Sequence, residues 1–125
     1  LLSLYFSKKN IELVGGIRVK RQDSVVKILT SRIANKIRAF ILKDNCKDTG
    51  CSLKVFNKKI FLSFPYFNGI HRFLPALFKG YGHDTFFIEV NHRKRKFGYS
   101  KYGTTNRLFR GIRDIIKVKK ILKNL

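Results

Sequence analysis

The sequence predicts an α/β fold. Two short runs, Ile11 to Val14 and Phe86 to Val90, are rich in β-branched and aromatic residues, as is typical of buried strands. Two longer segments, one after Ser24 and one from Thr104 to Asn124, repeat apolar residues at helical spacing. Strands that alternate with helices of this length favour the α/β class.

The first half of the chain begins with residues Leu1 to Phe6, which we interpret as the end of a helix. The strand Ile11 to Val14 follows, and we expect Gly15 and Gly16 to close it. Next come the candidate N-cap Ser24, with Asp23 as the alternative cap, and a helix. The apolar residues of that helix fall on one face: Val26, Leu29, Ile33, Ile37, Phe40 and Ile41.

The second half alternates loops with short elements. We predict a loop from Lys43 to Gly50, an extended stretch from Leu53 to Phe56, and a second loop through Pro65 to Gly69. A helix over His71 to Lys79 accommodates Pro75 if this residue lies in its first turn. Gly80 and Gly82 stop that helix, and the strand Phe86 to Val90 leads into a basic loop from His92 to Gly103.

The last segment, 104–124, predicts a basic amphipathic helix. Its apolar side carries Leu108, Ile112, Ile115 and Leu122, and its basic side carries Arg110, Arg113, Lys117 and Lys120. No internal repeat or low-complexity linker divides residues 1–125, which we therefore assign to a single domain.

Composition sets limits on function. The chain has 125 residues, is 44% apolar with 12 Phe, and carries a net charge of +21, which implies attraction to phosphate groups. Nucleic acid, an anionic membrane surface, a sugar nucleotide and a lipid phosphate all remain compatible with that charge. Nucleic acid is the less favoured partner, because no helix-turn-helix, zinc or aromatic RNA-binding motif occurs.

The cysteines, the length of the apolar runs and the basic last helix predict where in the cell the protein lies. No export signal precedes Cys46 and Cys51, which we interpret as reduced thiols of a cytoplasmic protein; a disulfide or a metal-binding pair is the less favoured alternative. The longest apolar run, Ile60 to Phe67, is far shorter than the roughly 20 residues of a membrane span. The basic face of the last helix is compatible with peripheral association at the inner face of the cytoplasmic membrane, and equally with simple packing on the sheet.

Asp48 is the first candidate for chemistry. It stands in a loop between Lys47 and Gly50, where cationic neighbours would keep its pKa low, and a general base for an attacking hydroxyl or phosphate oxygen is one role for it. An Asx-turn, in which the carboxylate accepts hydrogen bonds from nearby backbone, is the alternative and the commoner one on pattern alone.

Basic residues near two strand ends are candidates for phosphate binding. Arg18 and Arg21 follow the first strand, and ligands gather beyond the carboxyl ends of strands in open α/β sheets. The later loop contains Arg93, Arg95, Ser100 and Lys101, which suit a diphosphate leaving group. A solvated basic loop is the alternative there.

Five blocks of sequence, taken in order, resemble bacterial family 2 glycosyltransferases of the dolichol-phosphate mannosyltransferase type. They are Ile11-Glu12-Leu13-Val14-Gly15-Gly16-Ile17-Arg18 with Arg21-Gln22-Asp23-Ser24, then Ser31-Arg32-Ile33-Ala34-Asn35, Asp48-Thr49-Gly50-Cys51-Ser52-Leu53-Lys54, Gly69-Ile70-His71-Arg72-Phe73-Leu74-Pro75-Ala76-Leu77, and His92-Arg93-Lys94-Arg95-Lys96-Phe97-Gly98-Tyr99-Ser100-Lys101-Tyr102-Gly103. The blocks extend over nearly the whole chain, and their order is more specific than any one of them.

The resemblance implies a hexosyltransferase with a GT-A fold. Such an enzyme moves a sugar from a nucleotide diphosphate donor to a polyprenyl or dolichyl phosphate acceptor at the membrane face, with Mg²⁺ or Mn²⁺ as a divalent metal cofactor. By matching position it assigns Asp48 as the catalytic base and Arg95, Ser100 and Lys101 to the donor phosphates, with Arg93 as a further candidate.

The resemblance also implies that a part is missing. The family's nucleotide-binding strands and its Asp-x-Asp metal motif precede the block at Ile11, and no Asp-x-Asp occurs in this chain. Leu1 opens the sequence and Met is absent from it, which favours a fragment. We therefore expect a partial GT-A fold that binds no metal and transfers no sugar alone, with its N-terminal half on a separate chain or lost.

Overall fold

The computed structural model describes residues 1–93, 96–97 and 104–125, with the backbone alone for 104 and 105. The described segments form an α/β fold whose strands make one three-stranded mixed sheet in the order β2-β1-β3. The helices are α1 Leu2–Ser7, α2 Val25–Leu42, α3 Lys58–Ser63, α4 Leu74–Gly80 and α5 Thr104–Lys123, and the strands are β1 Ile11–Val19, β2 Lys54–Phe56 and β3 Asp84–Asn91.

β1 is the central strand. It pairs in parallel with β3, from Ile11 beside Asp84 to Val19 beside Asn91, and antiparallel with the short β2. The parallel pairing needs a long crossover, and α2, α3 and α4 all lie in the connection between β1 and β3. The predicted α/β class is therefore correct for the described part of the chain.

The expected end of β1 at Gly15 and Gly16 was wrong, because the strand continues to Val19. Both glycines are sites of close packing. A Cβ on Gly15 would lie 3.0 Å from the Phe87 ring, and one on Gly16 would lie 3.0 Å from Val90 and 3.1 Å from Sγ of Cys51. The missing side chains admit β3 and the 51–53 segment, so glycine here serves packing rather than termination.

α2 begins where the sequence predicted. The Ser24 hydroxyl accepts a hydrogen bond from the Lys27 backbone N–H at 3.4 Å, which confirms the N-cap. The helix ends at Leu42, and its C-cap Lys43 has a left-handed backbone (φ 53°) and donates its N–H to the carbonyl of Ala39.

α3 was not predicted. The Asn57 side-chain oxygen accepts hydrogen bonds from the backbone N–H groups of Lys59 and Ile60, and the helix stops at Phe64, the residue before Pro65. The Asn cap was the available signal in the sequence. The predicted helix from His71 to Lys79 was wrong at its start, because Ile70–Arg72 form a separate 3-10 turn and α4 begins at Leu74. Pro75 lies in the first turn of α4, as predicted, and Gly80 is its last residue.

The core lies where α4 packs against β1 and β3, with the end of α5 closing it. Leu77, Phe78 and Val118 are fully buried there. The rings of Phe64 and Phe78 meet edge to face at 5.0 Å between centroids, a favourable aromatic geometry. Seven Phe side chains lie in this core or pack against it, whereas Phe6, Phe40, Phe97 and Phe109 are exposed.

α5 confirms the predicted last helix. It is anchored to the segment before α4 by an ion pair between Arg72 and Asp114 at 2.6 Å, and Val118 is its fully buried residue. Among the helices that the structure describes, none is long and apolar enough to cross a membrane.

Candidate functional site

The parallel strands β1 and β3 end at the same edge of the sheet. Arg18 is the next-to-last residue of β1, and Arg93 follows β3 with its side chain exposed. The backbone N–H of Gln22 donates a hydrogen bond to Nδ1 of His92 at 3.1 Å, which ties the two strand extensions together. In open α/β sheets this edge is the usual place for a ligand.

Arg18 and Asp48, two residues singled out from the sequence, meet at this edge. Nε of Arg18 donates to Oδ2 of Asp48 and its second terminal nitrogen donates to Oδ1, both at 2.8 Å, so that the pair is bidentate. The backbone N–H of Arg18 adds a third hydrogen bond, to Oδ2 at 3.1 Å. Asp48 is 5% exposed, so its carboxylate lies inside the protein with Arg18 as its partner.

The Arg18 pair sets the ionisation of Asp48. Burial by itself would raise the pKa of the carboxyl, but the side-chain and backbone hydrogen bonds from Arg18 outweigh it and hold the pKa below its ordinary value. The same hydrogen bond raises the pKa of Arg18, against a smaller opposing effect of burial. Both groups therefore remain charged at neutral pH.

Gly50 makes room for this pair. A Cβ at Gly50 would lie 2.8 Å from a terminal nitrogen of Arg18 and 3.6 Å from Oδ1 of Asp48. Any side chain there would displace the guanidinium. Gly50, which in the sequence indicated a loop, is therefore needed because only glycine leaves room for the ion pair.

A buried arginine of α2 holds the loop that carries Asp48. Arg38 is 4% exposed, and its Nε donates to Oδ2 of the fully buried Asp44 at 2.8 Å. Its other nitrogens donate to Oδ1 of Asn35 and Oγ1 of Thr49, each at 2.5 Å, and to the carbonyl of Cys46. These contacts fix both ends of the 44–49 segment against α2.

Further bonds complete the loop. Oδ1 of Asp44 accepts from the backbone N–H of Cys46 at 3.0 Å, and Nζ of Lys54 donates to the carbonyl of Thr49 at 3.2 Å and to that of Cys51. Burial lowers the pKa of Lys54 and raises the pKa of the Cys46 thiol to about 11. Both cysteines are free and buried.

A cleft of about 1000 Å³ opens beside the Arg18 pair. Its walls are the end of β1, one side of α2 and the loop from Asn45 to Asp48. Asp48 is the single acidic residue of the lining among the residues described, and the basic ones are Arg18, Lys20, Arg21, Arg32, Lys36 and Lys47. A concave surface with this balance attracts anions, and phosphate groups above all.

Arg21 is already positioned in this cleft. It donates to Oδ2 of Asp23 at 2.9 and 2.6 Å and to Oγ of Ser31 at 2.9 Å, so its side chain is held against the start of α2. Asp23, the alternative cap of α2, therefore serves as a partner of Arg21 instead.

The predicted site residues divide into three groups. Arg18 and Asp48 are brought into contact, and Arg93 lies at the same sheet edge without a contact to either that the structure gives. Arg95, Ser100 and Lys101 lie outside the described residues. Sequence reasoning missed Arg38 and Asp44, since an arginine on the polar side of a helix looks like a solvated residue.

The described residues do not fit a divalent metal. Within residues 1–93, 96–97 and 104–125, no three His, Cys, Asp or Glu side chains come together in a way that could hold one. The carboxylate nearest the cleft, Asp48, has both oxygens bonded to Arg18.

Comparison with known proteins points to one class, bacterial transferases named for a polyprenyl phosphate. The chain is 29% identical over 97 residues to undecaprenyl-phosphate 4-deoxy-4-formamido-L-arabinose transferase of Pectobacterium carotovorum subsp. carotovorum (strain PC1), covering 78% of this chain and 30% of the relative. Proteins of the same name from Shewanella sediminis (29% identity, 80% of this chain, 30% of the relative) and Yersinia pestis (28%, 79% and 30%) match similarly.

At 28–29% identity, these matches support the resemblance to family 2 glycosyltransferases. The chain spans about 30% of the length of the relatives. No family model and no solved structure matches it.

Proposed function

We propose that this chain is the acceptor-side portion of a family 2 glycosyltransferase, which moves a sugar from a nucleotide diphosphate to a polyprenyl phosphate. The proposal is based on the basic cleft at the carboxyl end of β1, where the ion pair with Asp48 orients the Arg18 guanidinium. The names of the relatives, which specify undecaprenyl phosphate, agree with a phosphate in that cleft.

Arg18 is the residue that we expect to bind the phosphate. Its guanidinium is already desolvated and oriented by Asp48, so a phosphate that replaces the carboxylate meets a preformed fork. Lys36 and Arg32 of α2 supply further positive charge from the opposite wall of the cleft. The exposed Arg93 and the basic loop that contains Arg95, Ser100 and Lys101 are proposed for the donor diphosphate.

Asp48 acts as a base only after Arg18 leaves it. In the structure both carboxylate oxygens are occupied, and a low pKa makes the carboxylate a weak proton acceptor. A phosphate that draws Arg18 away would free Asp48 and raise its pKa beside the acceptor. Acceptor binding would thus prepare the general base.

Three further parts of the proposal follow from the family resemblance. The complete enzyme would contain Mg²⁺ or Mn²⁺ bound by residues outside this chain, and its donor site would be supplied by an N-terminal half. The isolated chain would transfer no sugar. The family resemblance is also the basis on which we propose a mannosyltransferase-like enzyme with a GT-A fold.

Calorimetry with a short-chain acceptor tests the cleft. We expect the full chain to bind citronellyl phosphate and to ignore citronellol, which has the same hydrocarbon without the phosphate. Arg18→Gln should weaken binding at least tenfold, since charge-assisted hydrogen bonds to phosphate are lost. Lys9→Gln is the matched control, because Lys9 precedes β1 and lies at the opposite end of that strand.

Two results would contradict the proposal. One is equal binding of the phosphate and the alcohol. The other is a Lys9→Gln effect as large as that of Arg18→Gln, which would assign the binding to net charge. Tighter binding of mixed-sequence DNA than of citronellyl phosphate at 0.15 M salt would favour the nucleic-acid alternative.

A further inference from the structure

His92 contacts the segment that follows β1. Val19 and Asn91 are the last paired residues of the two parallel strands, and beyond them one chain segment leads to α2 and the other leaves β3. Among the residues described, the hydrogen bond given between these two extensions runs from the backbone N–H of Gln22 to Nδ1 of His92, at 3.1 Å. Seventy positions separate the two residues, so this is a tertiary contact.

The segment between β1 and α2 depends on such contacts. Lys20 has φ 51°, a left-handed backbone that is unfavourable for a residue other than glycine. A conformation of this kind persists only where the surrounding structure determines it. The Arg21 side chain supplies contacts on the α2 side, and His92 supplies one on the β3 side through the Gln22 backbone.

The same segment is one wall of the basic cleft. Lys20 and Arg21 line the cleft together with Arg18. Because Gln22 directly follows these residues, a fixed Gln22 backbone fixes the direction from which the two added cations enter the cleft. His92 lies outside the described lining, so its effect on a bound anion has to pass through this segment.

The hydrogen bond also defines the protonation state of His92. Since Nδ1 accepts, it has no hydrogen, and the neutral ring carries its proton on Nε2. An imidazolium has an N–H on both nitrogens and cannot accept from the Gln22 backbone. Protonation of the ring therefore breaks the contact.

Charges of both signs lie at this edge of the sheet. The charged residues at the ends of β1 and β3 and on their extensions are Arg18, Lys20, Arg21, Asp23, Glu89 and Arg93. Burial would raise the pKa of Asp23, but the hydrogen bond and charge of Arg21, followed by the charge of His92, hold it below its ordinary value. Asp23 therefore titrates well below the range in which histidine changes charge.

We propose that neutral His92 is a positioning residue of the basic cleft, which holds the Gln22 backbone, and with it Lys20 and Arg21, and releases this segment when it is protonated. The inference rests on the proposed function in one respect only, namely that the cleft binds an anion.

NMR of the full chain, labelled with ¹⁵N, tests the contact without a ligand. At pH 8 the ring of His92 should carry its proton on Nε2. On acidification to pH 5 the Gln22 amide signal should shift with the same midpoint as the His92 ring, and Asp23 does not account for that shift because it titrates lower. A proton on Nδ1 at pH 8, or a Gln22 amide that does not follow the ring, would overturn the proposal.

Two amide variants form a matched pair. The acceptor atom of Asn is bonded to Cγ, as Nδ1 of His is, so His92→Asn keeps an acceptor within reach of Gln22, whereas His92→Gln places it one bond further out. Neither side chain is protonated between pH 5 and 8, so the Gln22 amide of both variants should stop responding to pH. His92 is only partly buried, and both variants should fold.

Calorimetry with inorganic sulfate at pH 8 measures the effect on the cleft, because sulfate has no hydrocarbon chain and its binding does not depend on the acceptor proposed above. His92→Asn should bind within twofold of the unmodified chain, and His92→Gln at least threefold more weakly. Equal affinity of all three proteins, or no binding of sulfate by the unmodified chain, would overturn the positioning role. Sulfate binding without a preference for citronellyl phosphate over citronellol would contradict the proposed function and leave this inference standing.

Discussion

Arg38 and Asp44 form an ion pair inside the protein, 2.8 Å apart, with Arg38 4% exposed and Asp44 fully buried. One comes from α2 and the other from the loop that follows it, so the pair connects the helix to the segment that presents Asp48. Charges are costly to bury unless their partners are complete. Here the guanidinium also bonds to Asn35, Thr49 and the carbonyl of Cys46. The loop geometry therefore depends on this network.

Replacing Arg38 by Met should lower the free energy of unfolding by about 3–5 kcal/mol, because Asp44 is left as an uncompensated buried charge. Urea unfolding at pH 7 measures the change. Arg32→Met, an exposed arginine of the same helix, is the control and should change stability by less than about 0.5 kcal/mol. If Arg38→Met and Asp44→Asn were strictly additive in the double variant, the two residues would not be coupled as the structure indicates.

Asp48→Asn should remove part of the acid sensitivity of folding. The folded pKa of Asp48 lies below its ordinary value, so the ion pair stabilises fully above about pH 4 and is lost as the pH falls through the folded pKa. At pH 7 we expect a loss of about 2 kcal/mol, typical of charged hydrogen bonds, and a smaller difference from the unmodified chain near pH 2. Urea unfolding at several pH values measures both.

Gly50→Ala tests the same pair without removing a charge. Its Cβ would displace the Arg18 guanidinium from Asp48. Gly50→Ala, like Asp48→Asn, should therefore lose less stability than the unmodified chain does as the pH falls from 7 to about 2. Asp84→Asn, which removes an exposed carboxylate away from this pair, is the control for the loss of one negative charge. If the free energy of unfolding of Asp48→Asn changed with pH in parallel with that of the unmodified chain, the result would contradict a lowered pKa of Asp48 in the folded state.

The buried thiol of Cys46 should make folding sensitive to alkali. Its folded pKa is about 11, raised from 9.0 by burial, so above pH 9 the unfolded chain binds fewer protons than the folded one. Stability should therefore be unaffected below about pH 9 and should fall by up to about 2–3 kcal/mol by pH 11. The difference between the unmodified chain and Cys46→Ala isolates this effect from other groups that titrate there.

Cys51→Ala is the control for that comparison, since it keeps the Cys46 thiol and should keep the decline. Thiol labelling at pH 8 gives an independent check. In Cys51→Ala the remaining thiol, 1% exposed, should react at least a hundredfold more slowly in buffer than in urea. Fast labelling in buffer would mean that Cys46 is accessible, against the structure.

Substitutions at two glycines with positive φ distinguish the cost of backbone strain from the cost of steric crowding. Gly69 has φ 91°, and its Cβ would lie 2.9 Å from a terminal nitrogen of Arg72, while Gly82 has φ 85° with open space around it. Gly82→Ala should cost about 1 kcal/mol from backbone strain alone. Gly69→Ala should cost more, because it also disturbs the pair of Arg72 with Asp114. Thermal unfolding measures both, and equal costs would show that the crowding is relieved freely.

Much of the fold was accessible from the sequence because local signals agreed with tertiary packing. Ser24 caps α2, Pro75 opens α4, and β3 covers the predicted run from Phe86 to Val90. The end of β1 was misjudged, since Gly15 and Gly16 were taken as a stop when they make space for β3. Local propensity does not reveal which neighbour comes close.

For the site, the sequence singled out Arg18 and Asp48 as separate candidates, thirty residues apart. Their pairing depends on the loop fixed by Arg38, and nothing local to either residue indicates it. The roles of Arg93, Arg95, Ser100 and Lys101 remain predictions from the family resemblance.

The α/β class, the two long helices, the strong positive charge and the resemblance to family 2 glycosyltransferases could all be predicted from the sequence, because they depend on composition, periodicity or the order of motifs. The side of α2 that faces inward could not, because it depends on contacts made in the folded chain. An apolar stripe is attracted to any apolar surface, but a buried arginine needs its particular partners, and Asp44, Asn35 and Thr49 lie on one side of the helix alone. That choice turned the polar side of α2 to the loop and left its apolar residues facing outward.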